Sequence, residues 1–230
     1  MHLSISRHAV SLALLTLLLA SQVLTAEEPT VQKRITHLEL KEKVNEKLLE
    51  DLHGFPGNNF AELPQDDVSF QNVKFRVGDG YIRLGGKIEK AKPLKVEDLP
   101  VGTTFSKLQI LHGTGYGSYG NPGDPLFIFD GSEIGAYVVK YDDGTSATIP
   151  SVYGQDVRDW WNWDKPAEVT RGKIAWSGMN EMSRGQGQMV YIYLTTWTNP
   201  HPAKKVIGLD YISNGKTAAS PYCIAITLEH

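Results

Sequence analysis

The sequence predicts an all-β protein, a two-sheet β-sandwich or jelly roll with a short N-terminal extension. Two observations carry this expectation. From residue 68 onward, short apolar runs recur at intervals of roughly 8 to 12 residues with glycine and proline between them. Beyond residue 53 no helical periodicity extends past a few turns, which argues against an α/β architecture.

The elements follow in order. Residues 1–26 have a positively charged start, an apolar run from Ala9 to Ala20 and a small residue, Ala26, where a leader would be cut. The run is shorter than the ~20 apolar residues of a membrane span. The expectation is a signal peptide cleaved near Ala26, a secreted or periplasmic product, and no transmembrane segment in the mature chain. Residues 27–62 form an N-terminal extension packing on the sandwich, and residues 63–230 form the sandwich itself. Within the extension, residues 35–40 alternate like a strand, while Val44, Leu48 and Leu52 have helical spacing. Residues 53–59 are a turn-rich loop.

In the sandwich, residues 70–77 and 81–84 predict a hairpin across Gly78-Asp79-Gly80, and residues 87–102, with Pro93 and Pro100, a connector. Residues 105–112 are a strand, and residues 113–123 a glycine-rich loop carrying Tyr116 and Tyr119. Residues 134–163 hold the most information. Tyr137, Val139 and Tyr141 share one strand face. Asp143-Gly144 predicts a type I′ turn, and residues 147–150 the return strand, with Pro150 at its end or on a sheet edge. Val157, Trp160 and Trp161 then fall at i, i+3 and i+4, predicting a short helical turn capped by Asp156. Residues 168–176, 189–197, 206–212 and 222–228 are further strands, and residues 177–188 a surface loop.

Composition narrows the function classes. A net charge of −3 without blocks of one sign argues against a nucleic-acid surface. Cys223, the single cysteine, can form no intrachain disulfide and reads as a buried hydrophobe. No nucleophile elbow, zinc-helix motif or carboxylate spacing selects a catalytic centre, so the reading is not an enzyme. No cofactor is expected. Asp66, Asp67, Asp79, Asp124, Asp142 and Asp143 serve turns in the favoured reading and a structural calcium ion in the other.

Residues 70–75, 108–112, 135–144, 153–161, 197–200 and 225–227 occur in this order in uncharacterised secreted bacterial domains frequent in planctomycete-type proteomes. Across roughly residues 38–228 the chain resembles that family, which is similar to the galactose-binding-like β-sandwich modules attached to glycoside hydrolases. The resemblance implies that fold, a noncatalytic accessory character and an affinity for sugars. It transfers no binding residues.

The residues themselves offer a candidate set. Sugar rings lie against aromatic faces while neighbouring polar groups bond their hydroxyls. Trp163, Tyr153, Asp159 and Arg158 supply that mixture, with Tyr116 and Tyr119 as an opposing wall and His201, held between two prolines, as a further contact. Trp160 and Trp161 are expected to be core. The leading expectation is a carbohydrate-binding-like module whose partner is a polysaccharide or glycan. The alternative is a structural or interaction domain whose partner is an envelope protein.

Overall fold

The computed structural model describes residues 34–161 and 167–230. The proposed leader and Trp163 lie outside them. The described residues form an all-β structure: thirteen strands, two 3₁₀ turns and one five-residue helix. In chain order these are β1 (Ile35–His37), β2 (Glu46–Lys47), β3 (Asp66–Phe70), β4 (Val73–Val77), β5 (Gly80–Arg83), β6 (Lys95–Thr103), β7 (Lys107–Gly115), β8 (Glu133–Tyr141), β9 (Ser146–Val152), β10 (Lys173–Gly178), α1 (Glu181–Gly185), β11 (Val190–Thr198), β12 (Val206–Ser213) and β13 (Ser220–Glu229).

Every strand pairing is antiparallel. One sheet runs β10-β11-β7-β13-β5-β2, with β1 also on β13; a second runs β6-β12-β8-β9; β3 and β4 form a separate hairpin. The alternation of β8 explains how the two larger sheets meet. Tyr137, Val139 and Tyr141 face a shared layer with Leu209 and Tyr211 from β12 and Leu108, Ile110, Ile226 and Leu228 from the larger sheet. Tyr137 stacks on Tyr211 with ring centroids 4.3 Å apart. Its hydroxyl meets Nδ1 of the buried His112 at 3.3 Å, so the polar groups placed between the sheets are partnered.

The other face of the larger sheet is covered too. Leu111, Ile192, Leu194, Tyr222 and Ile224 pack under Leu48, Leu52, Phe60 and Leu63, the β3–β4 hairpin, and Trp160 and Trp161. A bulge at Cys223/Ala225 turns Ile224 and Ala225 to this same side. Buried on both faces, β13 has no exposed position along its length. Cys223 is fully buried, and burial pushes its thiol up to about 12, leaving it a packing group.

Several local expectations are corrected. Residues 42–52 are not a helix: a 3₁₀ turn at Lys41–Lys43 leads into β2. Asn45 bonds the Arg83 backbone through both amide atoms, and the Leu48 amide donates to Asp79. Pairing to β5 outcompetes a helix too short to be stable by itself. The hairpin into β4 comes from β3 across Gln71-Asn72, both left-handed with φ of 51° and 63° as a type I′ turn needs, while β5 crosses to β2 and β13.

At residues 141–145 only Gly144 is left-handed, with φ of 82°. The Gly144 amide donates to the Tyr141 carbonyl and the Tyr141 amide to Thr145, so this is a type I turn with a glycine bulge rather than type I′. Pro100 and Pro150 both sit inside strands, β6 and β9, each at an edge of the four-stranded sheet, where a missing donor is tolerated. The loop at residues 177–188 contains α1, closed by a capping box between Asn180 and Ser183.

Candidate functional site

Residues 154–156 make a turn, and residues 157–161 beyond it form no helical turn. The Trp160 amide donates to the Thr114 carbonyl and the Tyr191 amide to the Trp160 carbonyl, so residues 159–161 are threaded between β7 and β11. Asp156 does not cap a helix; its Oδ2 accepts from the Val152 amide, and its carboxylate pairs with Arg171. The i, i+3, i+4 spacing marks burial all the same. Val157, Trp160 and Trp161 are buried, the last two at 2% and 6% exposure, and Trp160 packs on Phe60 at 4.7 Å.

A cleft of about 310 Å³ opens where this segment, the loop at residues 52–60, the start of the 116–132 loop and α1 converge. Phe55 and Tyr119, both substantially exposed, stand on its lining beside His53, Asn58, Tyr116, Ser118 and Asp159, with Trp160, Trp161 and Met182.

The 52–60 loop is held by its own bonds. The Leu52 amide donates to Asn58, Asn58 Nδ2 donates back to the Leu52 carbonyl, and Asp51 Oδ1 accepts from the Gly57 amide and Asn59. Leu52 anchors the loop in the core. Asn58 joins the walls: its Oδ1 accepts from Trp161 Nε1 at 3.0 Å and from Asn180 at the head of α1 at 3.3 Å.

Two residues of the cleft have left-handed backbones without being glycine, His53 at φ 61° and Tyr116 at φ 56°. Such a conformation costs on the order of 1–3 kcal/mol and concentrates at functional sites. Here the two strained residues touch, ring centroid to ring centroid at 4.0 Å.

Arg83, buried on β5, donates from Nη2 to Nδ1 of His53 at 2.8 Å. A guanidinium cannot accept a hydrogen bond, so Nδ1 is the acceptor and the ring proton sits on Nε2. Burial, with the Arg83 charge adding to it, lowers the His53 pKa to about 3. The imidazole is neutral across the physiological range. Arg83 is itself fixed by Ser220 Oγ at 3.0 Å and Glu89 at 3.1 Å, with Glu46 3.8 Å away.

Asp159 fastens the opposite wall. Its Oδ1 accepts from the Trp161 amide at 2.8 Å and its Oδ2 from the Ser118 amide at 3.1 Å. Burial nevertheless raises its pKa to about 6, because those amides offset only part of the desolvation.

Of the residues singled out from the sequence, Tyr116, Tyr119 and Asp159 line this cleft. Tyr153 lies behind it, buried, its hydroxyl 3.5 Å from Ser118 Oγ. Arg158 is engaged elsewhere: its guanidinium pairs with both oxygens of Asp130 at 2.9 and 2.7 Å, bonds the Glu168 carbonyl and lies over the Tyr153 ring. His201 packs edge-on to Tyr141 and its amide donates to Asn199, outside the cleft lining. His53, Phe55, Asn58, Ser118 and Met182 were not anticipated. The turn-rich run at residues 53–59 was visible, but its proximity to Tyr116 depends on pairing across the sheet.

Among the described residues no three His, Cys, Asp or Glu side chains gather as a metal site. Asp67 pairs with Arg76, Asp79 with Lys47 and Asp143 with Lys204, while Asp124 accepts from the Asn121 amide. Among these residues no helix is long and apolar enough to cross a membrane. No family model, curated protein or solved structure matches the chain.

Proposed function

We propose that the chain is a secreted or periplasmic, noncatalytic carbohydrate-binding module of galactose-binding-like, jelly-roll type, and that the cleft between His53, Tyr116 and Tyr119 receives the sugar. The observation that carries this reading is the contact between two strained, left-handed aromatic residues in an aromatic-lined cleft at loops of the larger sheet. The exposed rings of Phe55 and Tyr119 offer apolar faces to the C–H groups of a pyranose, and Ser118 and His53 offer hydrogen-bonding groups for its hydroxyls.

The volume lies at the small end of the roughly 300–1,000 Å³ of ligand pockets, a fit for one or two sugar units. Glycoside hydrolysis generally uses two flanking carboxylates. Among the described residues the cleft lining offers one, Asp159, with both oxygens bonded to backbone amides, which favours binding without chemistry.

The test is a glycan array and affinity electrophoresis with the unmutated protein and with Tyr119→Ala. Retention by a polysaccharide that Tyr119→Ala weakens supports the reading; no retention by any glycan overturns it. A second reading, an envelope interaction domain with a protein partner, is favoured by the burial of Trp160 and Trp161, which makes those rings architecture. Recovery of one stoichiometric envelope protein by crosslinking, with no glycan bound, would establish it.

A further inference from the structure

Among the described residues the lining of the cleft carries no lysine or arginine, and Asp159 is its single carboxylate. The cation behind it, Arg83, is buried and engaged with His53, Ser220 and Glu89. A ligand at this wall therefore meets a neutral imidazole instead of a guanidinium. The backbone amides of Ser118 and Trp161, which could cradle an anion, already donate to the Asp159 carboxylate. An anionic group entering the cleft would lose water beside a carboxylate, with neither a free cation among the described residues nor these amides to receive it.

For a neutral hydroxyl the balance is different. With Nδ1 accepting from Arg83, His53 holds its proton on Nε2, and that N–H has no acceptor among the described residues. The Nε2–Cε1 edge of the ring lies against the backbone of Gly115, where an added Cβ would come within 2.9 Å of both atoms. Tyr116 packs on the same ring. Arg83, Gly115 and Tyr116 together hold the imidazole in one orientation as a donor of fixed tautomer.

We propose that the cleft selects an uncharged sugar, with His53 Nε2–H donating to one of its oxygens, and discriminates against uronic and sulfated sugars. This rests on the carbohydrate-binding reading above and adds to it a ligand class and a specificity-determining residue.

The experiment is affinity electrophoresis of the full chain in gels containing a neutral galactan or xylan, polygalacturonate, or a sulfated galactan, each normalised to a noninteracting protein of similar charge. The expected result is retardation by a neutral polysaccharide and none by the acidic ones. His53→Asn keeps a residue type that tolerates the left-handed backbone and removes the imidazole donor. It should weaken retention by about tenfold, the upper range for a single hydrogen bond.

Retardation by polygalacturonate or sulfated galactan equal to or stronger than by the neutral gels overturns the discrimination and leaves carbohydrate binding standing. Neutral-gel retention that His53→Asn does not change overturns the role of His53. No retardation in any gel removes the carbohydrate reading itself. The comparison among gels with the unmutated chain decides the charge preference even where the substitution disturbs the loop.

Discussion

Arg83 Nη2 donates to His53 Nδ1 across 2.8 Å, and that bond sets the tautomer of the one imidazole in the cleft lining, which burial keeps neutral. Burial and the adjacent guanidinium move its pKa from 6.5 to about 3. Nitrogen-15 NMR should find His53 neutral, protonated at Nε2, from neutral pH down to about pH 4. The linkage sign follows from a folded pKa below the unfolded one. The contribution to stability is complete above the unfolded value near 6.5 and is lost as pH falls toward about 3. A His53 resonance titrating near its ordinary value would show that the ring is neither buried nor held by Arg83 as described.

Asp159 acts in the opposite direction. Its folded pKa is raised from 3.8 to about 6, so ionisation is disfavoured in the fold, and its contribution is full below about pH 3.8 and lost as pH rises through about 6. Between about pH 4 and 6 the two residues oppose each other. Asp159→Asn should remove the Asp159 component of the pH dependence. Its amide has one acceptor oxygen for the two amides now served, so we expect about 1–3 kcal/mol of destabilisation at neutral pH. Urea unfolding of both proteins across this range, with His53 present in each, isolates the difference.

The tryptophans divide by depth. Trp160, 2% exposed and packed against Phe60, should cost about 3–5 kcal/mol when cut to alanine. Trp161→Phe keeps most of the volume but loses the Nε1–H bond to Asn58, so it should cost nearer 1 kcal/mol. Thermal denaturation ranks them. Equal effects would mean that the bond to Asn58 does as much for the fold as the whole buried Trp160 ring.

Gly144→Ala tests the turn that joins β8 to β9. The added methyl meets nothing within 4 Å, so its cost comes from the backbone at φ 82° alone. Alanine there should lose about 1 kcal/mol and asparagine less, since asparagine visits the left-handed region more readily. A larger loss for asparagine than for alanine, read from denaturation midpoints, would contradict the backbone explanation.

The strands were legible because their signal is local. Tyr137, Val139 and Tyr141 alternate within one strand, and whatever pairs beside them, the same face is apolar. The turns were half legible: glycine at position 144 announced a turn, but Gln71-Asn72 carries no glycine, and its left-handed backbone emerges only in the structure. The spacing of Val157, Trp160 and Trp161 marked burial without giving conformation, because a segment threaded between two strands can bury these three side chains as well as a helix can. The cleft depends on long-range pairing. His53 reaches Tyr116 because β2 pairs β5, β5 pairs β13 and β13 pairs β7, which carries the chain to Tyr116, and no local pattern encodes that chain of registers.

Gly115→Ala separates recognition from architecture most directly. Gly115 lies at the end of β7 without a left-handed φ, so alanine satisfies the backbone there. Its methyl would nevertheless stand 2.9 Å from both Cε1 and Nε2 of His53. The ring cannot turn away without breaking the Arg83 bond or the Tyr116 contact. A displaced imidazole should keep a midpoint within a few degrees of the unmutated protein, since a shift of about 1 kcal/mol moves a domain of this size by about 2–4 °C. Retention on neutral polysaccharide should fall by about tenfold, as for the loss of a single hydrogen bond. A variant that binds sugar unchanged while His53 is displaced, as read by its imidazole nitrogen shifts, would remove His53 from the binding surface and leave its strained backbone a feature of loop closure.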